Sequence, residues 1–315
     1  MISFAMALTV QARAAEPPAQ ENAPAPKTVM ELRTEMAAKA ASPWLPEDQI
    51  ANTALILLDN GKAGSGFFLY VGQGVYLVTA KHVLCNLRSG ELLAPKAQAL
   101  SYPKRSESGR NVFSLNLALL KERGSLRVHA THDVAVVRLG KLKSLPVPSK
   151  IEGVPGVSSV MKSSSGITGT STEAVKLLRE VSVSNETFVI GFPISLGGPF
   201  GENLDRFAPL VKRGAVAGVS ERDGVIILDA AVYPGNSGGV VVEVTQNGFS
   251  REFRGIGLVS KLVPYVDQDK ATGLSPGNSG YAVVEPMDHV LELVDKADRE
   301  YVPPPEAPKT EGAAK

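Results

Sequence analysis

Three side chains in this chain have types and settings suited to nucleophilic catalysis: Ser237, His82 and Asp133. Ser237 lies in Tyr233-Pro234-Gly235-Asn236-Ser237-Gly238-Gly239, between β-branched runs at 225–228 and 240–244, which reads as strand, tight glycine loop, strand. Gly235 lets the backbone aim its own N–H and that of Ser237 at one point, so the loop offers a hydroxyl beside an anion hole. Standing alone, Pro-Gly-Asn-Ser-Gly is also simply a good turn. His82 closes the run Leu77-Val78-Thr79-Ala80-Lys81-His82, where small Ala80 leaves room for an imidazole to face another part of the fold. Asp133 precedes the apolar run Val134 to Val137, and a carboxylate there needs a strong donor, which an imidazole N–H supplies. Read together, they are base, orienter and nucleophile in the chain order His, Asp, Ser.

The elements that must position these groups are mostly strands. Short β-rich runs stand at 54–58, 66–71, 75–79, 97–102, 126–130 and 134–139, with a hairpin signal at Gly72-Gln73-Gly74. They resume at 187–190, 215–219, 225–228, 240–244, 253–260 and 281–284, and 287–297 has helical periodicity. Residues 146–172 are rich in Ser, Gly and Pro and suit a connector, ending in 173–179, which is expected to make two helical turns. The glycine-rich stretch between Pro193 and Phe207 reads as a loop that shapes a binding site.

The 315 residues are 43% hydrophobic, enough for a sizeable core, and the many glycines and prolines favour an all-β class. A net charge of +1 without a long basic run implies neither nucleic acid nor an anionic membrane surface as partner. No segment reaches the ~20 apolar residues of a membrane span. Residues 1–15 end in a small-x-small pattern and are expected to be a cleaved signal peptide, which places the protein in a periplasm or outside the cell. Residues 16–45 read as a linker with one short amphipathic helix at 29–41, and 300–315 as a disordered tail. The single cysteine, Cys85, excludes a disulfide within the chain and reads as a packed core thiol. None of the four histidines has the paired spacing of a zinc site, so no metal or cofactor is expected. Gly61 to Gly66 lacks the lysine-then-Ser/Thr ending of a phosphate loop, and no helix is expected to follow it.

Thr79-Ala80-Lys81-His82, Asp133-Val134-Ala135 and Gly235-Asn236-Ser237-Gly238-Gly239 resemble the three catalytic motifs of the chymotrypsin-fold serine proteases, especially the bacterial trypsin-like and HtrA-type branch. Gly64-Ser65-Gly66-Phe67, Ile190-Gly191-Phe192-Pro193 and Asp229 to Pro234 resemble further segments of that branch. The resemblance implies two six-stranded antiparallel β-barrels, about 46–145 and 181–285, with a C-terminal α-helix at 286–297, the whole domain spanning 46–299. It implies a serine endopeptidase with catalytic His82, Asp133 and Ser237, an oxyanion hole at Gly235 and Ser237, and a protein or peptide substrate. The side-chain pocket implied by the family is floored by Ala231 and walled by Leu258, Val259 and Ser260, none charged, which suits small or medium apolar side chains.

Where the digestive enzymes carry an aspartate that pairs with a freed N-terminus, this chain has Asn236, so activity without such a cut is expected. The PDZ domain usual in the HtrA branch is not expected here, since only a short tail follows Ala297. Ser279, in a near-repeat of the nucleophile motif, resembles a loop residue before the last strand, and Asp229 is a weaker orienter than Asp133. Two rival readings stand beside the protease. One is an α/β-hydrolase elbow served by Asp267 and His289, which needs a helix after Ser237 where the sequence predicts a strand. The other is a catalytically silent peptide-binding scaffold of the same fold.

Overall fold

Alternating or continuous apolar β-branched residues build two mainly antiparallel strand systems, one from strands between Thr53 and Ser171 and one from strands between Glu186 and Pro286. The computed structural model describes residues 28–31, 45–107, 109–142, 151–162, 166–193, 205–248, 250–269 and 273–301. The chain divides into two units, Met1–Trp44 and Leu45–Lys315. In the first, the Thr28 hydroxyl accepts the Glu31 N–H while the Glu31 carboxylate accepts the Thr28 N–H, a reciprocal cap on one helical turn at 29–31. The leader at 1–15, the rest of the helix expected at 29–41 and the tail beyond 301 lie outside the described residues.

The second unit opens with helix α1 (Glu47–Ala51). Strands β1 (Thr53–Leu58), β2 (Ala63–Val71) and β3 (Gly74–Thr79) follow, then a one-turn helix α2 (Lys81–Leu84). Gly72, at φ +55°, makes the two-residue turn between β2 and β3. Strands β4 (Lys96–Ser101) and β5 (Val112–Asn116) lead to helix α3 (Leu117–Glu122), then β6 (Leu126–Val128) and β7 (Ala135–Leu142). The six long strands pair in the order β7-β3-β2-β1-β4-β5. The expected barrel closes differently from six strands alone. Strand β8 (Ile151–Gly153) pairs with β7 and β9 (Val157–Val160) pairs with β5, so one segment of the supposed connector bridges the two ends of the path. Strand β6 pairs with β7, and β10 (Thr170–Ser171) with β2, making ten strands in all.

No α-helix forms at 173–179. The Lys176 N–H donates to the Gly255 carbonyl and Val175 bridges Gly255, so groups a helix would use inwardly are bound to the neighbouring sheet, and only 3-10 turns remain at Thr172–Ala174 and Leu178–Glu180. The second system is a closed ring in the order β11-β12-β13-β16-β15-β14. Its strands are β11 (Glu186–Gly191), β12 (Leu210–Ser220), β13 (Val225–Asp229), β14 (Val240–Asn247), β15 (Ser250–Asp269) and β16 (Gly273–Pro286). Helix α4 (Met287–Glu300) then returns to the first half. Its buried residues Met287, Val290, Leu293, Val294 and Ala297 recur at helical spacing and join the first core. The Asp298 carboxylate accepts the Tyr76 hydroxyl and pairs with Arg138 at 3.1 Å. Among the described residues no helix is long and apolar enough to cross a membrane.

Candidate active site

The three candidate catalytic groups reach one cleft from three different element ends. His82 is on the single turn α2, which starts where extended Ala80 ends strand β3. Asp133 stands two residues before β7, and its backbone carbonyl accepts the Lys81 N–H at 3.2 Å, which ties the two segments together. Asp133 Oδ2 lies 2.7 Å from His82 Nδ1, and Oδ1 accepts the His82 backbone N–H at 3.0 Å. A carboxylate only accepts, so Nδ1 carries the imidazole proton and Nε2 is left with the lone pair of a base. The Ser260 hydroxyl donates to the same Oδ2 at 2.7 Å. The Asp133 side chain is 11% exposed and that of His82 34%.

Ser237 lines the same cleft, an 870 Å³ cavity that also takes in His82, Asp133, Gly235, Ser260 and Leu262. Its hydroxyl donates weakly to the Ser260 carbonyl at 3.4 Å rather than to the imidazole. The loop around it is held by its own groups. The Asn236 N–H donates to the Tyr233 carbonyl (2.9 Å) and the Asn236 side-chain oxygen accepts the Tyr233 N–H (3.0 Å). Asn236 thus braces the loop internally at the position where an ion pair would be needed in the digestive enzymes. The N–H groups of Asn236, Gly238 and Gly239 are all bonded, whereas among the described residues those of Gly235 and Ser237 have no acceptor. Gly235 is at φ +100°, a conformation that glycine alone adopts without strain.

The glycines after Ser237 are dictated by close approach. A Cβ on Gly238, at φ +83°, would lie 2.1 Å from the Ser65 carbonyl oxygen and 2.9 Å from the Ala80 N. Ser65 is fully buried, and sequence reasoning gave it no role. Its hydroxyl donates to the Gly235 carbonyl (2.6 Å) and accepts the Phe192 N–H (2.7 Å), while its N–H donates to the Ser237 carbonyl (2.9 Å). The signal lay in Gly64-Ser65-Gly66, matched as a family segment without a function attached.

The pocket residues are placed unevenly. Val259 and Ser260 line the cleft, joined by Lys261 and Leu262, which the sequence reading did not include. Leu258 does not reach it: its side chain is fully buried in the core and it pairs with Val240 on one side and Glu285 on the other. Ala231 does not line it either, and its carbonyl accepts Lys212 Nζ at 2.7 Å. That ammonium sits 3.7 Å from the Tyr233 ring centroid, and burial pushes its pKa down. Ser279 is apart from the cleft, its hydroxyl donating to the Val263 carbonyl at 2.6 Å, and exposed Asp229 pairs within the sheet. Residues 194–204 of the predicted binding loop lie outside the described residues. The strand β14 after Ser237 removes the α/β-hydrolase reading, which requires a helix there. Cys85 is a buried free thiol, its pKa raised by burial.

A mainly antiparallel strand system and a closed six-strand ring, with imidazole, carboxylate and hydroxyl lining one cleft, define the class as the chymotrypsin fold. The chain belongs to the trypsin-like peptidase family, whose domain model matches residues 64–248. Among solved structures it is similar to HBP at atomic resolution (14% identity, TM-score 0.50, covering 83% of this chain and 97% of that one). It is also similar to the HtrA-type protease AlgW with a tripeptide (17% identity, TM-score 0.45, 82% of this chain and 65% of that one). The chain thus spans less than two thirds of that HtrA-type structure. No curated protein matches the chain.

Proposed function

We propose that this chain hydrolyses peptide bonds through a covalent acyl-enzyme, with Ser237 as nucleophile, His82 as general base and Asp133 as orienter. The observation that carries the reading is the pairing of His82 Nδ1 with Asp133 at 2.7 Å in the cleft where Ser237 sits beside two unengaged N–H groups. The reaction requires the Ser237 hydroxyl to turn away from the Ser260 carbonyl, towards His82 Nε2 in the same cleft. As the oxygen attacks a carbonyl, the proton passes to Nε2, and the N–H groups of Gly235 and Ser237 hold the oxyanion. The imidazolium then protonates the leaving amine, and water releases the acyl group by the reverse path.

An extended substrate adds along Ser260 to Leu262. Beyond Val259, which still bonds Gly238 and Gly239, strand β15 keeps only β16 as backbone partner among the described residues, so its other edge is open towards the cleft. The side-chain pocket takes small or medium apolar groups. The Lys212 ammonium over the ring of Tyr233, which lines the cleft, further opposes lysine or arginine there, because two like charges repel strongly when partly desolvated. The silent scaffold is the second reading, favoured by the Ser237 hydroxyl resting on the Ser260 carbonyl.

Fluorophosphonate labelling with site mapping separates the two. Modification of Ser237 is expected, and Ser237→Ala should lower kcat by roughly 10⁶ while Ser279→Ala leaves it nearly unchanged. An unlabelled Ser237 in folded protein would favour the silent scaffold. Efficient cleavage after arginine in a peptide library would remove the apolar preference.

A further inference from the structure

Three of the four histidines meet beside Asp133. The ring centroids of His132 and His289 are 3.6 Å apart, and the His129 ring lies 4.9 Å and 5.1 Å from them. They are far apart in sequence: His129 and His132 precede β7, whereas His289 is in the first turn of α4, which returns to the first half. Two carboxylates join them, and two trios have ligand atoms all within 4.8 Å of one another: His132, Glu285 and His289, and His129, Glu292 and His289.

Hydrogen bonding distinguishes the trios. His129 Nδ1 accepts the His132 N–H at 2.9 Å, so the neutral ring carries its proton on Nε2, next to Glu292, and has no lone pair there for an ion. His289 Nε2 is 3.1 Å from the Gly224 carbonyl, which only accepts, so its Nδ1 holds a lone pair, oriented from behind by a backbone group. His132 Nδ1 and Glu285 Oε2 are 2.9 Å apart, close to the ~3.3 Å edge of a tetrahedron with zinc bonds of about 2.0–2.1 Å.

The Glu285 side chain is only 7% exposed, and among the described residues its ion-pair partner is His132, with no lysine or arginine within reach. A buried carboxylate of this kind calls for a cation. We propose that His132 Nδ1, Glu285 and His289 Nδ1 bind one divalent transition ion of the zinc class, with water as fourth ligand. Imidazole and carboxylate together suit such an ion and not calcium, which takes oxygen ligands. On loading, the His132 proton moves from Nδ1 to Nε2, so no net proton is released, and the His289 ring turns out of its stack to converge on the ion. The other oxygen of Glu285 accepts the Asp133 N–H at 3.2 Å, so the ion and the catalytic aspartate share one carboxylate.

The test is calorimetric titration of Zn²⁺ into the Ser237→Ala protein, a binding measurement whose outcome does not depend on proteolysis. One ion per chain is expected. His289→Gln and Glu285→Gln should each weaken binding by roughly 100-fold, while Glu292→Gln leaves it unchanged. Absence of stoichiometric binding, or binding indifferent to His289→Gln and Glu285→Gln, overturns the proposal, as does loss on Glu292→Gln alone. Should a variant fail to fold, Co²⁺ added to the Ser237→Ala protein decides: the intense visible absorption of a tetrahedral site supports the assignment, and a weak octahedral spectrum overturns it.

Discussion

Ser260 serves the cleft twice, through its hydroxyl on Asp133 Oδ2 at 2.7 Å and through its carbonyl, which receives the Ser237 hydroxyl. A hydrogen bond to a charged group contributes about 1.5–3 kcal/mol, and this one anchors the same carboxylate oxygen that pairs with the imidazole. Ser260→Ala should therefore lower kcat by roughly 10-fold or more with KM nearly unmoved, and lower Tm by a few degrees. Peptide kinetics beside thermal unfolding checks it, and an unchanged kcat would leave the hydroxyl without a positioning role. The sequence made Ser260 visible only as a pocket wall. Its bond to Asp133 arises because the register of β15 on β16 slips between Val259 and Lys261, an irregularity that turns Ser260 out of the ladder. No pattern of apolar residues records such a slip.

At the scale of elements, the strands around His82, Asp133 and Ser237 were legible because β-branched runs between glycine turns leave little alternative. What escaped were segments whose conformation depends on distant partners. Strand β5 was not foreseen in its polar surroundings, and β8 and β9 form only because both ends of the first strand path offer open edges to a Ser- and Gly-rich segment. The expected helix at 173–179 failed for a related reason. Lys176 Nζ binds the fully buried Glu243 at 2.8 Å, and the same carboxylate accepts from Asn185 at 2.6 Å. Removing one partner of a buried pair leaves an uncompensated charge, so Lys176→Met should cost about 3–5 kcal/mol in denaturant unfolding. Replacing both, Lys176→Met with Glu243→Leu, should recover much of that loss. If the single variant costs under ~1 kcal/mol, the pair behaves as a surface contact.

For the molecule as a whole, the cleft depends on how firmly the two strand systems are joined. The three motifs in the sequence indicated that a base, an acid and a nucleophile would converge. They did not reveal the junction, which is built from fully buried Ser65 and the glycines packed against it. Ser65→Ala leaves the Gly235 carbonyl and the Phe192 N–H without their partner, at about 1–3 kcal/mol for each group. A fall in Tm together with a loss of kcat/KM is expected, and a variant as active and stable as the parent would show that the joint tolerates slack.

That joint limits how the protein can be switched. Swinging the halves apart would pull the Ser65 hydroxyl and N–H from the nucleophile loop and dismantle the anion hole in the same motion. A hinged, gaping resting form is therefore closed to it. Control then falls to whatever occupies the groove or reorders the loops at its rim, and under the proposed peptidase activity a polypeptide would have to enter as a slack, unfolded strand.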